Sequence, residues 1–515
     1  MAQPQTDAQK YDRQLRLWGE VAQSRLESSR VLSIGSDCVS VEFLKAIVLP
    51  GIGFIGVADD KVVDAVDLET NFFIDIDQVG QKRGQCVLNN LLELNDRVKG
   101  EFIDMSIDKV VEKSEIYNDY DIFVCCNQPH KYVVEMSKRT KSPVFEVETN
   151  GFLGLVKVYV ESQVVFDDGN VNVPMDLRIP SPFPLFQDFY NTFDFTKMDK
   201  DTHQHVPFPI ILIFALNKWR QEHNTTGIPK TSDDKKQIKE IIKKESHCLF
   251  AEENFQEAYN MSFYTFQTTP VSVLELLKDK RCTGRLTEMT KEQIEFWGFL
   301  GAVKVFYEKH NRTPIDSGIK DMISSNTFFV KLQEVFTKQL DIDANEILKT
   351  AEERLNAEKV EKFKFTLEGV KRLCKALRKM YVVDGVNGET NQKWDTVDEY
   401  ELTQPQSILM YLAVMYAVQD FNEKHGKFPV GNGDVAELLG LTKKVLERKE
   451  AKVEVDKTCV EQLARFGGVQ IHSANSVVGS FVGQEVIKYA AHQFGCLNNT
   501  FVFNTENCLS IHGHY

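Results

Sequence analysis

Short apolar runs alternate with helical patterns over the first ~170 residues. Val31–Ile34, Phe54–Ala58 and Asp121–Cys126 predict buried strands, because each is a brief apolar run bounded by polar or glycine residues. Between them, segments such as 38–49 and 79–95 repeat apolar residues at helical spacing, and further strands are predicted near 101–103, 143–146 and 154–160. Strands separated by helices of this length predict an α/β fold with a doubly wound sheet.

The pattern becomes helical from about residue 176 and returns to α/β near residue 465. Apolar residues recur at helical spacing in six segments, 210–219, 294–308, 328–340, 344–355, 370–380 and 407–423. A helix rich in small residues then falls within 466–494, a composition that favours close packing on a sheet, and paired strands follow at 501–504 and 508–512. We therefore predict one α/β domain in two parts, 1–170 and 458–515, interrupted by a mostly helical insertion over 171–457.

Three of the predicted helices end in the same way, with the sequences EHNTTGIP at 222–229, EKHNRTP at 308–314 and EKHGKFP at 423–429. Each places a histidine in the last turn, then a residue tolerant of left-handed geometry, then a proline. This order is typical of a helix C-terminus. The alternative interpretation is a metal site formed by His223, His310 and His425.

Charge and cysteine content restrict the environment. The net charge of −14 disfavours a nucleic-acid or anionic-membrane surface, which requires a basic patch. No apolar run reaches the ~18 residues of a membrane span, and the first residues lack a signal-peptide core. The ten cysteines include no C-x-x-C, and the adjacent Cys125 and Cys126 lie in an apolar run, which disfavours structural zinc. We expect a protein of the cytoplasm or nucleus.

The first strand runs into an unusual turn, VLSIGSDCVSVEF at 31–43. Strand, turn and helix are the setting in which G-x-G-x-x-G binds a phosphate through backbone N–H groups. Here only Gly35 is present, and Asp37 places a negative charge where a phosphate would lie. Gly35 and the later Asp59 are weakly compatible with a dinucleotide-dependent oxidoreductase, but no candidate proton donor accompanies them.

Three stretches carry a resemblance to a known family: YDRQLRLWG at 11–19, GFLG at 151–154 and QEVIKYA at 484–490. With them the chain resembles the activating enzymes for ubiquitin-like proteins. Those enzymes have a Rossmann-like adenylation fold of the ThiF/MoeB type, adenylate the modifier with ATP, capture it as a thioester and pass it to a conjugating enzyme. The segments NFF at 71–73 and HQHVP at 203–207 narrow the resemblance to non-catalytic subunits of heterodimeric enzymes. The long insertion favours the neddylation pathway over sumoylation, the alternative.

Five positions decide whether this resemblance implies an ATP site in the chain itself. Active members have a glycine-rich loop, where this chain has SDCVS at 36–40, and a D-x-D after the second strand, where it has DDK at 59–61. Their N-R-Q-F motif corresponds to ETNF at 69–72, and their acid after strand 4 corresponds to Asn127 or Gln128. Their lysine corresponds to Arg83. Mg·ATP needs carboxylates for the metal and donors for the phosphates. The resemblance therefore implies that the chain binds no cofactor and that ATP and Mg²⁺ belong to a partner subunit. A self-sufficient adenylyltransferase is the disfavoured alternative.

No cysteine matches the nucleophile of the family. The family's Pro-Cys-Thr setting corresponds to Cys282, which follows Arg281 instead of proline. Cys248 lies beside His247, a pair that suggests Cys–His chemistry, but adjacent residues on a helix point in different directions. We expect no thioester on this chain.

Arg13 is the one candidate catalytic residue. It matches the N-terminal arginine that, in the family, reaches across the dimer to the partner's ATP phosphates, a role that suits a planar guanidinium. The alternative is a surface arginine on an amphipathic helix whose packing face is Leu15, Leu17 and Trp18. The implied partners are a catalytic subunit, a ubiquitin-like modifier and, indirectly, a conjugating enzyme, with no nucleic acid and no membrane. The insertion is expected to form a wall of the groove that receives the modifier.

Overall fold

The structure is a computed structural model that describes residues 10–169, 172–248, 251–385, 394, 399–513 and 515. It divides into two compact units: Met1–Val165 together with Val382–Tyr515, and Phe166–Tyr381. Among the described helices none combines the length and the apolarity needed to cross a membrane.

The first unit contains an eight-stranded sheet in the order β10-β9-β6-β5-β4-β1-β2-β3. The neighbours from β5 to β3 are parallel, whereas β6, β9 and β10 are antiparallel to their neighbours. The predicted α/β doubly wound fold is confirmed, with an antiparallel extension at one edge. The strand bounds of this sheet are β1 Arg30–Ile34, β2 Phe54–Ala58, β3 Lys99–Ile103, β4 Ile122–Cys126, β5 Val144–Asn150, β6 Leu153–Tyr159, β9 Thr500–Asn504 and β10 Leu509–Gly513. The strands β7 Ser162–Val165 and β8 Tyr381–Asp384 pair in a separate two-stranded sheet.

Helices cover both faces of the parallel strands, so successive residues of one strand enter different cores. Val31 packs on one face and Leu32 on the other, and Cys126 and Cys125 divide in the same way. The helices of this unit are Asp12–Ser28, Cys38–Val48, Ala65–Thr70, Arg83–Leu92, Ile107–Glu112, Ile116–Asp119, His130–Arg139, Glu399–Leu402, Ile408–His425, Gly431–Arg448, Lys457–Phe466 and His472–Ala491.

Small residues bring the helix His472–Ala491 against the helix Cys38–Val48. A Cβ on Gly479 would lie 2.6 Å from the Cβ of Glu42, and one on Gly483 would lie 2.5 Å from the Cβ of Ala46. Side chains larger than hydrogen therefore cannot fit at either position. The small-residue composition predicted close packing on the sheet; the structure adds close packing on a neighbouring helix.

The second unit is helical, and it ends earlier than predicted. Its helices are Pro184–Tyr190, Lys200–Gln204, Phe208–Glu222, Ser232–Glu245, Glu253–Asn260, Val271–Lys278, Lys291–His310, Asn326–Ala357 and Leu367–Ala376. The two helices predicted at 328–340 and 344–355 are one continuous helix, because no glycine or proline interrupts them. The unit ends at Tyr381 rather than at residue 457. The helix Ile408–His425 instead shares a core with Leu153 and Val502 of the sheet.

The three histidine-containing helix ends form as predicted. Asn311 and Gly426 adopt left-handed conformations with φ of 51° and 65°. His310 contacts Glu346 at 3.0 Å and His425 contacts Glu437 at 3.0 Å, while Nδ1 of His223 lies 2.9 Å from a backbone carbonyl oxygen. Because each histidine has its own local partner, these residues serve as helix termini rather than as ligands of a shared metal.

Candidate functional site

The turn after β1 is built around a glycine and an aspartate. Gly35 has φ of 101°, and a Cβ there would lie 2.8 Å from the carbonyl oxygen of Cys126, so only glycine fits. Asp37 then caps the helix Cys38–Val48: its Oδ1 accepts from Ser40 N at 3.2 Å and from Ser40 Oγ at 2.8 Å. The turn that holds a phosphate in nucleotide-binding sheets here holds a carboxylate of the chain itself.

The second oxygen of Asp37 is also bonded. Its Oδ2 accepts from the side-chain amides of Asn127 and Gln470, both at 2.7 Å. Asn127 follows β4 with φ of 49°, and its Oδ1 accepts from Thr149 N at 2.8 Å. Of the two residues predicted to replace the family's strand-4 acid, Asn127 therefore faces the loop, whereas Gln128 donates to a backbone carbonyl.

Arg83 forms a buried ion-pair network at the carboxyl end of β2. Its Nη2 and Nε donate to Asp59 Oδ2 at 2.7 and 2.9 Å, and its Nη1 donates to Asp67 Oδ1 at 3.1 Å. Asp59 also accepts from the Ser36 hydroxyl and, at 3.0 Å, from Lys61 N. The exposed fractions of Arg83, Asp59 and Asp67 are 8%, 5% and 7%. The cation that sequence reasoning aligned with the family's lysine is thus bonded to two carboxylates.

The network fixes the charge of its members. Burial of the Asp59 carboxyl acts to raise its pKa, but the Arg83 guanidinium and the bonds from Ser36 and Lys61 outweigh burial and lower it. Burial likewise acts to lower the pKa of Arg83, and the acids Asp59, Asp37 and Asp67 raise it. Both groups remain ionised around neutral pH, so the pair is a permanent feature of the fold.

The acid-rich loop after β2 is structural. Asp64 caps the helix Ala65–Thr70, accepting from Val66 N at 2.8 Å and Asp67 N at 3.1 Å, and Asp67 accepts in return from Asp64 N at 3.1 Å. Sequence reasoning missed the pairing of Asp67 with Arg83. The spacing of three residues between Asp64 and Asp67 indicates the helix cap, but it gives no signal for the pairing with Arg83.

The structure places the cysteine candidates in unreactive or incomplete settings. Cys282 is buried and its thiol donates to the carbonyl oxygen of Leu276 at 3.2 Å; burial raises its pKa to about 11, so the thiolate is scarce near neutral pH. Cys248 is exposed, and the neighbouring His247 stacks on His203 at 4.6 Å between ring centroids.

His203, of the HQHVP segment, belongs to a group of potential metal ligands that sequence reasoning did not identify. Its Nδ1 lies 3.0 Å from Glu252 Oε1, and ligand atoms of His203, His247 and Glu252 lie within 4.8 Å of one another. The two imidazole rings are stacked with an interplanar angle of 25°. Because a nitrogen lone pair lies in its ring plane, two nearly parallel rings cannot both coordinate one ion in this arrangement. The group is a hydrogen-bonded stack.

Arg13 lies exposed on the helix Asp12–Ser28, and no described residue forms a hydrogen bond or ion pair with it. Arg16, by contrast, pairs with Asp12 at 3.1 Å. The predicted packing face of this helix is wrong at Leu17, which is 66% exposed. The helix is instead fixed by buried Tyr11, whose hydroxyl accepts from Asn95 Nδ2 at 3.1 Å.

An apolar surface surrounds the acid-rich loop. Five side chains between β2 and the helix Arg83–Leu92 are 48–81% exposed: Val62, Val66, Phe72, Ile76 and Val79. Phe72 also meets the ring of His472 edge-on, with 4.2 Å between centroids. We call these five residues the crossover patch.

The phosphate-type turn, the parallel strands and the mixed sheet agree with the family comparison. The chain belongs to the ThiF family, whose model matches residues 11–510.

Individual relatives extend this similarity over nearly the whole chain. The NEDD8-activating enzyme E1 regulatory subunit of Xenopus laevis is 28% identical, with 96% of each chain covered. The subunit of the same name from Danio rerio is 28% identical with 98% of each chain covered. Among solved structures, the crystal structure of E. coli MccB with succinimide covers 31% of this chain and 51% of its own at 17% identity, with a TM-score of 0.28.

Proposed function

We propose that this chain is the regulatory, non-catalytic subunit of a heterodimeric activating enzyme for a ubiquitin-like modifier, and that its pathway is neddylation. The proposal rests on one observation: charged side chains of the chain itself occupy the edge of the sheet where a nucleotide would bind. Asp37 occupies the turn, and Arg83 is bonded to Asp59 and Asp67. The full-length relatives named as NEDD8-activating regulatory subunits support the pathway and disfavour the sumoylation alternative.

We infer that ATP and Mg²⁺ bind to the catalytic partner. Mg²⁺ binds through carboxylates, but the carboxylates nearest the turn already accept charged or amide donors from the protein. A triphosphate would also meet the negative charge of Asp37 at the helix N-terminus. These features support a chain that binds no cofactor, and they disfavour a self-sufficient adenylyltransferase.

Arg13 is proposed to act in trans at the partner's ATP site. Its side chain is exposed and lacks a carboxylate partner in the described part of the chain, so no intramolecular bond must break before it reaches a phosphate. A guanidinium remains protonated and matches phosphate oxygens with planar donors. It would stabilise the charge that develops on the phosphates as the modifier's carboxylate attacks.

The crossover patch is proposed as part of the surface that the catalytic subunit covers. Single exposed apolar residues are normal on a protein surface, but five large ones along one segment indicate a surface that another protein covers.

The modifier is proposed as a second partner, and the helical unit forms part of the groove that receives it. The conjugating enzyme is a partner only indirectly. We place the assembled enzyme in the cytoplasm or nucleus.

The test is modifier-dependent pyrophosphate exchange by the assembled heterodimer. Loss of one preorganised charge donor costs on the order of 10²–10³ in rate. Because Arg13 is exposed and shares its role with the partner's residues, we expect Arg13→Ala to slow exchange by roughly tenfold to a hundredfold, without loss of assembly. Arg13→Lys should restore part of the rate, since an ammonium keeps the charge and loses the planar donors.

Arg16→Ala is the matched control, because it removes a guanidinium three residues away that is already paired with Asp12. Exchange at the wild-type rate in Arg13→Ala would refute the role of Arg13. A loss explained entirely by dissociation of the two chains, measured by size-exclusion chromatography, would refute it as well.

A further inference from the structure

A cavity of about 280 Å³ lies in the sheet-bearing unit. It is lined by residues of β6, of the helices His130–Arg139, Ile408–His425 and Gly431–Arg448, and by the residue that follows the last of these. Six of its lining residues are basic: His130, Lys131, Lys138, Lys157, Arg448 and Lys449. Two are acidic, Asp420 and Glu423. This excess of positive charge is unusual in a chain whose net charge is −14.

A buried lysine lies in the wall of the cavity. Lys157 is 4% exposed, and its Nζ lies 5.2 Å from the ring centroid of Tyr159 and 5.5 Å from that of Tyr416. Aromatic faces stabilise an ammonium that has lost much of its water. A desolvated cation in a cavity wall attracts an anion more strongly than a surface lysine does.

The carboxyl groups behind the cavity offset only part of this positive charge. His130 Nδ1 lies 2.7 Å from Glu146, and this carboxylate outweighs burial to raise the pKa of His130 to about 9, so the imidazole is protonated. Burial and the neighbouring Glu146 raise the pKa of Glu148 to about 8, so that carboxyl is mostly neutral at pH 7. The Glu146 carboxylate also interacts with Lys157, so one ionised carboxylate faces two cations, His130 and Lys157, on this side of the cavity.

The remaining cations stand at different walls. Lys131 and Lys138 lie seven residues apart, on one face of their helix, and neither has a carboxylate partner within the described residues. Across the cavity, Lys449 Nζ lies 5.8 Å from the Tyr416 ring centroid, and Arg448 pairs with Asp420 at 2.6 Å. An anion in the cavity therefore meets cations from more than one wall.

We propose that this cavity binds a small phosphate compound. Its volume suits a small molecule, and the buried Lys157 can be reached only by a group that enters the cavity. An extended acidic segment of another protein would contact the rim without filling the interior. The proposal does not depend on the function proposed above, because all lining residues belong to one unit of this chain.

The test is isothermal titration of the full chain with magnesium-free pyrophosphate at low ionic strength. Saturable one-to-one binding is expected. The double variant Lys138→Ala/Lys449→Ala removes one cation from each side and should weaken binding by roughly tenfold to thirtyfold, with a smaller difference at high salt. The control Lys141→Ala/Lys443→Ala removes the same charge from exposed lysines outside the cavity and should leave the affinity within about twofold.

Three results would overturn the proposal. One is the absence of saturable pyrophosphate binding. A second is an equal loss of affinity in the cavity variant and in the control, since that would indicate a diffuse charge effect. The third is tighter binding of hexaglutamate than of pyrophosphate, which would indicate an acidic protein segment instead of a phosphate compound.

Discussion

Replacement of Arg83 by leucine tests directly whether the ion pairs of Arg83 stabilise the sheet edge beside the turn. Leucine keeps part of the volume of the side chain and removes the only guanidinium that lies between Asp59 and Asp67 in the described structure. Both carboxylates then remain buried without their cation. Removing one partner of a buried ion pair costs about 3–5 kcal/mol, because the charge left behind is uncompensated.

The remaining bonds place the expected loss at the lower end of that range. Asp59 retains the Ser36 hydroxyl and the N–H of Lys61, and Asp67 retains the N–H of Asp64. We therefore expect Arg83→Leu to lower the free energy of local opening by about 3 kcal/mol. Arg83→Lys should lose roughly half as much, because one ammonium cannot form the bidentate contact.

Hydrogen exchange of the β1 and β2 amides is the suitable assay, since a chain of two units need not unfold in one step. Lys82→Leu is the control: Lys82 pairs with Asp104 at the surface, so its loss should cost less than about 1 kcal/mol. The triple variant Arg83→Leu/Asp59→Asn/Asp67→Asn should recover much of the stability. Unchanged exchange in Arg83→Leu, or no recovery in the triple variant, would refute the reasoning.

Two further predictions concern pH and thiol chemistry. The pKa of Glu148 is raised from 4.5 to about 8, so the folded chain holds a proton that the unfolded chain loses, and the free energy of unfolding should fall as pH rises from about 4.5 to 8. In Glu148→Gln, the melting temperature should depend less on pH across this range. An unchanged pH dependence would show that other groups cause the decrease in stability. Cys248→Ala and Cys282→Ala should each leave the yield of the modifier thioester on the partner unchanged in non-reducing gels. Loss of the adduct in either variant would identify the nucleophile on this chain.

The strands could be predicted because their burial leaves a simple signal. β1, β2 and β4 are covered on both faces, so nearly every residue is apolar and each run is bounded by polar residues. The helices Ile408–His425 and Gly431–Arg448 were assigned to the wrong unit for the opposite reason. A helical pattern shows that one face is apolar, but it does not show which surface that face covers.

The sequence predicted which residues occupy the site, but it did not predict which hydrogen bonds and ion pairs they form. Asp37 could be recognised as a charge in the phosphate turn, and its position before an apolar helix also indicated an N-cap. The partners of Arg83 could not be found, because Asp59 and Asp67 lie 24 and 16 residues away and no periodic pattern relates them. The basic cavity was missed because its cations come from three separate segments.

The placement of β9 beside β6 has a consequence for biosynthesis. β6 ends at Tyr159, yet its partner strand begins at Thr500, so the ribosome must add the whole helical unit before the sheet can be completed. At about 5–20 residues per second, β6 waits as an open edge for on the order of tens of seconds. An unpaired apolar edge is a template for aggregation. We therefore expect newly made chains to be prone to aggregation at β6 until the last strands leave the ribosome.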